Sequence, residues 1–220
     1  MKYLLVVSHP DDEILGAGAT IQKLVSEGHE VSIACMTDYS ITREDFIVDV
    51  MRKTHQELGV KKTYVGRCKA MQFYDIEHVE KVRFIEDAIV DSQCDVIITH
   101  SNKDLHADHR ETSSLVMEAM RLPQRFPDES LKKIKEVLFM EVPSASDWSI
   151  EPFEPNTFVE VTEEQIVKKI ELTAMYEDVI RKVPHIRSVE AITALGVRRG
   201  AQSGYAFAES FKSVFKLGIW

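Results

Sequence analysis

The sequence predicts an α/β fold: a doubly wound, mostly parallel sheet with helices on both faces and a C-terminal layer of helices and loops. Three observations carry that expectation. Short apolar runs alternate with longer segments of helical spacing through about the first 140 residues, the order of a parallel sheet with right-handed crossovers. The first run, residues 3–7, is apolar throughout rather than at every second residue, as a strand covered on both faces requires. Two polar clusters, Ser8-His9-Pro10-Asp11-Asp12-Glu13 and His106-Ala107-Asp108-His109, each follow an apolar run, and in such sheets ligands bind beyond the carboxyl ends of the strands.

Residues 3–7 are the first strand. Residues 14–26 then set Ile14, Leu15, Ile21, Leu24 and Val25 at helical spacing, with Gly28 as a stop. A strand over 30–36, a helix over 43–58 closed by Gly59, and a short strand over 63–65 come next. Val79, Val82, Ile85 and Ile89 mark a helix over 79–90. A strand over 95–99, a helix over 108–120 and a strand over 134–140 complete a Rossmann-like order. Residues 142–155, rich in Pro, Ser and Glu, read as a long loop. Thr162 and Gln165 fit a capping box at the head of a helix over 162–182, which Pro184 ends. A helix is expected over 189–199, and 206–215 is a candidate third. No internal repeat divides the chain, so one domain over 1–220 is expected, its layer from about 142 walling the site.

At 220 residues and 44% hydrophobic, the chain can bury one good core. A net charge of -9 argues against a nucleic-acid surface, which needs clustered Lys and Arg. No apolar run approaches the ~20 residues that span a bilayer. Residues 4–7 are too short for a signal-peptide core, so a cytoplasmic protein is expected. Cys35, Cys68 and Cys94 form no CxxC pair, and buried free thiols are expected rather than a cysteine zinc site.

One imidazole and three carboxylates at the end of a buried strand must be paired, hydrated or bound to a metal. Three protein ligands and an open position is the usual plan of catalytic zinc. His9, Asp12 and His109 are the candidates. His9 and Asp12 lie three apart in the turn after the first strand, where Pro10 biases His9 away from helical geometry. His109 opens the helix beyond a neighbouring strand. Each residue has an ordinary alternative: Asp11 can cap the helix at Ile14, and Asp108 can cap the helix at His109. Two His/Asp clusters at two strand ends are hard to produce by capping.

His9-Pro10-Asp11-Asp12-Glu13 after an apolar strand, with Asp104-Leu105-His106-Ala107-Asp108-His109 downstream, resembles the PIG-L/LmbE family of zinc-dependent N-acetyl-sugar deacetylases. Arg199-Gly200-Ala201-Gln202 and Ala208-Glu209-Ser210-Phe211 resemble that family's C-terminal segment, so the likeness spans most of the chain. The resemblance implies one zinc on His9, Asp12 and His109. It implies Asp11 as general base, His106 as the imidazole that stabilises the tetrahedral oxyanion, and Asp108 as a carboxylate that orients a histidine. Amide hydrolysis needs those parts: an activated water, charge stabilisation at the carbonyl oxygen and a proton for the departing nitrogen. Fe²⁺ or Co²⁺ would suit the same donors. Glu13 reads either as a hydrogen-bond acceptor behind the site or as a favourable charge in the first helical turn.

The implied substrate is an N-acetylated amino sugar, free or conjugated. The alternatives are an amidase of a larger acyl or thiol conjugate and a non-catalytic metal-binding protein, which would need neither Asp11 nor His106. The resemblance also admits a homo-oligomer. Many members carry glycines after the second strand, and residues 37–44 here have none. Arg43 is a candidate substrate contact that also reads as a helix-start residue, and Asp38 could touch a sugar hydroxyl. His100 either lines the site or is buried and satisfied. His185 could reach the site from the C-terminal layer, and Trp148 could stack on a sugar ring or simply pack. Gly16-Ala17-Gly18 lacks the third glycine of a dinucleotide loop.

Overall fold

The computed structural model describes residues 1–39, 46–126 and 131–218. In chain order the elements are β1 (Lys2–Val7), α1 (Asp12–Ser26), β2 (Glu30–Tyr39), α2 (Ile47–Leu58), β3 (Lys62–Lys69), α3 (His78–Ser92), β4 (Val96–His100), α4 (Ala107–Ala119), α5 (Leu122–Arg125), β5 (Glu136–Met140), β6 (Thr157–Val161), α6 (Glu163–Ala174), α7 (Val189–Ser203) and β7 (Phe207–Lys216). The strands form one sheet in the order β3-β2-β1-β4-β5-β7-β6. The first five pair in parallel, and β7 runs antiparallel to both β5 and β6.

The uninterrupted apolar character of β1 has the expected cause. Leu5 and Val7 enter one core with Ile33 and Cys35 of β2 and with α1 and α2. Leu4 and Val6 enter the other with Ala34, Met36 and Ile97 and with α3 and α4. Side chains alternate across a pleat, so a strand with both faces covered must be apolar at every position. Chain order reverses between β1 and β4, which makes their carboxyl ends the switch-point crevice of the sheet. The three cysteines are free and buried. Among the described residues, no helix is long and apolar enough to cross a membrane.

The C-terminal third departs from expectation. Residues 207–216 form a strand, not a helix. Phe207, Phe211 and Phe215 recur every four residues, a spacing that both a 3.6-residue and a two-residue period satisfy. Pairing with β5 and β6 decides the outcome. β6 itself, five residues long, had no counterpart in the sequence pattern. The helix expected over 162–182 keeps its start: Thr162 accepts from the Gln165 amide, and the Gln165 side chain bonds back to the Thr162 amide. It ends earlier, at Ala174, and Asp178 beyond it takes a left-handed backbone, φ 60°.

The two parts of the sheet are fastened through α1. Ala17 leaves helical geometry (φ -145°, ψ 16°). The Glu209 carboxylate of β7 accepts from the amides of Ala19 (3.2 Å) and Thr20 (2.6 Å), and Lys169 of α6 pairs with it at 2.6 Å.

Candidate active site

The turn after β1 and the loop between β4 and α4 meet at the switch point. Asp12 Oδ2 is the centre of the constellation. It lies 3.2 Å from His9 Nδ1 and 3.2 Å from His109 Nε2, and it accepts from the His9 amide at 2.9 Å. The second nitrogen of each ring faces another carboxylate. His9 Nε2 is 2.9 Å from Asp108 Oδ2, and His109 Nδ1 is 3.2 Å from Asp104 Oδ2. Asp108 is held in turn by the Met71 amide (2.7 Å), and Asp104 by the Ser146 hydroxyl (3.0 Å) and the His106 amide (3.1 Å).

Those partners set the tautomers. A ring nitrogen that gives its proton to a carboxylate leaves the other with a lone pair. In that tautomer His9 Nδ1 and His109 Nε2 offer lone pairs on the Asp12 side to a cation; without a cation, both rings are held protonated and donate to Asp12 instead. Two imidazoles and a carboxylate converging in a buried place must share positive charge, carried by protons on the rings or by a bound cation. The field of the site shows how strongly positive charge is favoured beside Asp12. Burial alone would raise the Asp12 carboxyl, yet His109, His100 and His9 outweigh it and hold it well below the usual carboxylate range. Burial would lower His109, but Asp12 and Asp104 push it up to about 10. A nitrogen/oxygen donor set with each imidazole braced by a carboxylate suits a divalent metal. One donor atom per residue falls within 4.8 Å in two overlapping groups, His9–His106–His109 and Asp12–His100–His109. The sequence-derived trio draws on both.

His106 and His100 differ from that trio. His106 occupies the N-cap of α4, and its Nδ1 accepts from the Asp108 amide at 3.2 Å. The cap that is the alternative reading of Asp108 is made by His106, and the Asp108 side chain is free to meet His9. Burial, with His9 and His109 nearby, lowers the His106 ring to about 4. It is neutral at pH 7, with its proton on Nε2 as a donor. His100 is fully buried, its Nε2 accepts from the Ser8 amide (2.9 Å), and its ring stacks on His109 at 3.8 Å between centroids. Its Nε2 lone pair is used, so it supports His109 rather than adding a ligand.

A cleft of about 610 Å³ opens over this cluster, lined by His9, Asp11, Asp12, His106, His109 and Arg187 and by the apolar Pro10, Ile47, Met71, Leu105 and Ala145. Asp11 stands at the N-cap position of α1 but makes no capping bond with its side chain, and its backbone is left-handed (φ 109°, ψ -28°). Arg187 Nη1 lies 3.9 Å from Asp11 Oδ2, and its Nε donates to Ser144 Oγ (2.9 Å) and Pro143 O (3.2 Å). Arg187 was missed in the sequence, which pointed to His185. His185 accepts from the Arg187 amide at 3.0 Å and stays exposed outside the cleft. Trp148 is 74% exposed and does not line the cleft. Asp38 lies outside the lining, and Arg43 lies outside the described residues. Glu13 is the acceptor of the two readings offered: it is fully buried and bonds to the Asp11 amide and His55.

Fold and site together define an α/β protein whose switch-point cleft is floored by an imidazole–carboxylate cluster. The PIG-L family model, GlcNAc-PI de-N-acetylase, matches residues 4–120, the span that holds every member of that cluster, and the chain belongs to this family. It is 30% identical over 135 residues to a diacetylchitobiose deacetylase of Thermococcus kodakarensis, an alignment covering 54% of this chain and 49% of that protein. The chain thus matches about half the length of that relative. Its fold is that of N,N'-diacetylchitobiose deacetylase from Pyrococcus horikoshii (TM-score 0.72, 21% identity, 97% and 83% of the two chains). It is equally that of GalB, the 4-carboxy-2-hydroxymuconate hydratase of Pseudomonas putida KT2440 (TM-score 0.75, 20% identity, 100% and 99%).

Proposed function

We propose that the protein is a zinc-dependent N-deacetylase that removes the acetyl group from an N-acetylated amino sugar or its conjugate. The observation that carries this is the convergence of His9 Nδ1 and His109 Nε2 on Asp12 Oδ2, each at 3.2 Å, under a cleft that also holds Asp11 and His106. His9, Asp12 and His109 would hold the metal. A divalent ion there would supply Lewis acidity, which acidifies water and polarises an amide carbonyl at neutral pH. Family membership and the diacetylchitobiose deacetylase relative support the acyl-sugar substrate. The whole chain is read as one catalytic domain, because the segment after β5 supplies Ala145 and Arg187 to the cleft.

The chain's own groups divide the remaining work. The Asp11 carboxylate takes a proton from the attacking water and returns it to the departing nitrogen. His106 Nε2–H donates to the oxygen that gains charge as the carbonyl becomes tetrahedral, as preorganised donors do in acyl transfer. Asp108 and Asp104 fix the rings of His9 and His109. Water and amide are consumed, and acetate and a free amine are released.

The test is acetate release from a panel of N-acetylglucosamine conjugates by chelated protein, zinc-reloaded protein and Asp11→Ala. Activity restored by zinc and absent in Asp11→Ala is the expected result. Zinc bound without turnover of any panel member would overturn the substrate, and absence of zinc binding would overturn the metal centre. GalB, a hydratase with this fold, makes release of acetate and amine the product to demand.

A further inference from the structure

We propose that Glu13, backed by His55 and Tyr176, is a positioning device that holds Asp11 in its left-handed conformation and so aims the catalytic carboxylate. The proposal rests on Asp11 acting as the base. Asp11 has φ 109°, a region that a residue with a Cβ rarely enters and that persists only where surrounding structure enforces it. Glu13 makes the enforcing contact. Glu13 has no exposed surface, and its Oε2 accepts from the Asp11 amide at 3.2 Å.

Glu13 Oε1 is held from two distant elements. His55 Nε2 of α2 lies at 3.1 Å and Tyr176 Oη, just beyond α6, at 3.2 Å. Behind these, His55 Nδ1 meets Thr63 Oγ1 at 2.8 Å, and Tyr176 Oη meets Thr54 Oγ1 at 3.0 Å. Tyr176 has one proton and gives it to Glu13, so at Thr54 its oxygen accepts, and the Thr54 hydroxyl is shared between Tyr176 and Met51 O at 2.9 Å. If Thr63 donates to Nδ1, the His55 proton sits on Nε2 and points at Glu13. His55 and Tyr176 are each 1% exposed. A carboxylate serving only the helix dipole would stay in water at the first turn. This one is taken out of water, turned back toward Asp11 and surrounded by donors from residues 42 and 163 positions away. Burying it costs stability unless those partners are present, and the amide it holds belongs to the residue that faces the substrate.

The experiment compares His55→Leu, His55→Gln and Tyr176→Phe as zinc-loaded enzymes. It records kcat, KM and zinc affinity on the sugar that the panel identifies. His55→Leu and Tyr176→Phe are each expected to lower kcat by about 10- to 100-fold, the effect of losing an outer hydrogen-bond partner, with KM and zinc affinity within about two-fold. His55→Gln, whose amide can reach Glu13, is expected to recover most of the loss. Unchanged kcat, or kcat falling in step with zinc content, overturns the proposal. Where His55→Leu does not fold, Tyr176→Phe decides. Should the wild type hydrolyse no N-acetyl sugar, the functional reading fails separately. Crystal structures of the variants then settle the device: Asp11 leaving the left-handed region supports it, and φ remaining near 109° overturns it.

Discussion

The five parallel strands and the antiparallel pair β7-β6 share one sheet but do different work. The parallel part holds every imidazole and carboxylate of the cluster, between His9 and His109. It places them in turns after strands whose positions are set by two buried faces. The antiparallel part contributes none of them. It seals the sheet edge, braces α1 through Glu209 and Lys169, and its connecting segments bring Arg187 to the cleft and Tyr176 to Glu13. Charged groups are kept where a rigid parallel scaffold over-determines their positions, and the walls come from elements whose placement depends on long-range pairing.

The sharpest way to break that division is to remove chemistry from one part and fastening from the other. Asp11→Ala is expected to lower kcat by about 10²- to 10⁴-fold, the range for a lost general base, with zinc stoichiometry and urea stability unchanged. Acetate-release kinetics beside a zinc titration check it. A larger loss in Arg187→Ala than in Asp11→Ala would move the chemical centre to the C-terminal wall. Glu209→Ala should instead act on stability. It leaves buried Lys169 without its counter-charge and two α1 amides without their acceptor, a loss of about 3–5 kcal/mol in urea unfolding of the zinc-loaded protein. A loss below about 1 kcal/mol would mean that apolar packing alone joins the two parts.

The same division explains what could be read from the amino-acid order. The central parallel strands were legible because burial on both faces writes a short apolar run into them, most plainly in β1 and β4. The cluster was legible because His9, Asp12, His106, Asp108 and His109 sit in two short segments, each just past such a run. β7 was not, since phenylalanines four apart suit helix and strand alike and only its neighbours choose between them. His55 sits on a helix face with nothing local to mark it, because its partner Glu13 is 42 residues away. Arg187 follows a turn whose course depends on the early end of α6 at Ala174. Asp104 stood inside the second motif, but only the structure shows its carboxylate facing His109.

Arg187→Ala should have a smaller effect than either change above. The guanidinium is tied to the 143–144 turn through Nε and faces Asp11 at 3.9 Å. Loss of one charge-assisted contact at the cleft is expected to lower kcat/KM about tenfold. Arg187→Lys should recover little, because a lysine lacks the second donor that the turn carbonyl and hydroxyl engage. An effect confined to KM would place Arg187 on the substrate, and one confined to kcat would place it on Asp11.

The smallest effect belongs to the far end of the parallel part, where charge serves only the fold. Asp95, just before β4, accepts from the Lys2 amide at 2.9 Å and pairs with Lys132 at 2.8 Å and Lys135 at 3.0 Å. Burial would raise its carboxyl, but Lys132, the Lys2 amide and Lys135 lower it to about 2 from an ordinary 3.8. A depressed carboxyl adds stability that is fully present above 3.8 and lost as pH falls through about 2. Both lysines are partly exposed, which limits the gain to below about 1 kcal/mol. The urea midpoint of Asp95→Asn should therefore lie slightly below that of the wild type from neutral pH down to about 4, and the gap should close by about pH 2. Its kcat should match the wild type, since the carboxylate sits at the amino ends of the strands and the cleft at their carboxyl ends. A fall in kcat without loss of stability would show that the two ends of the parallel part are coupled, and the separation of structural from chemical charge would fail where the scaffold is most rigid.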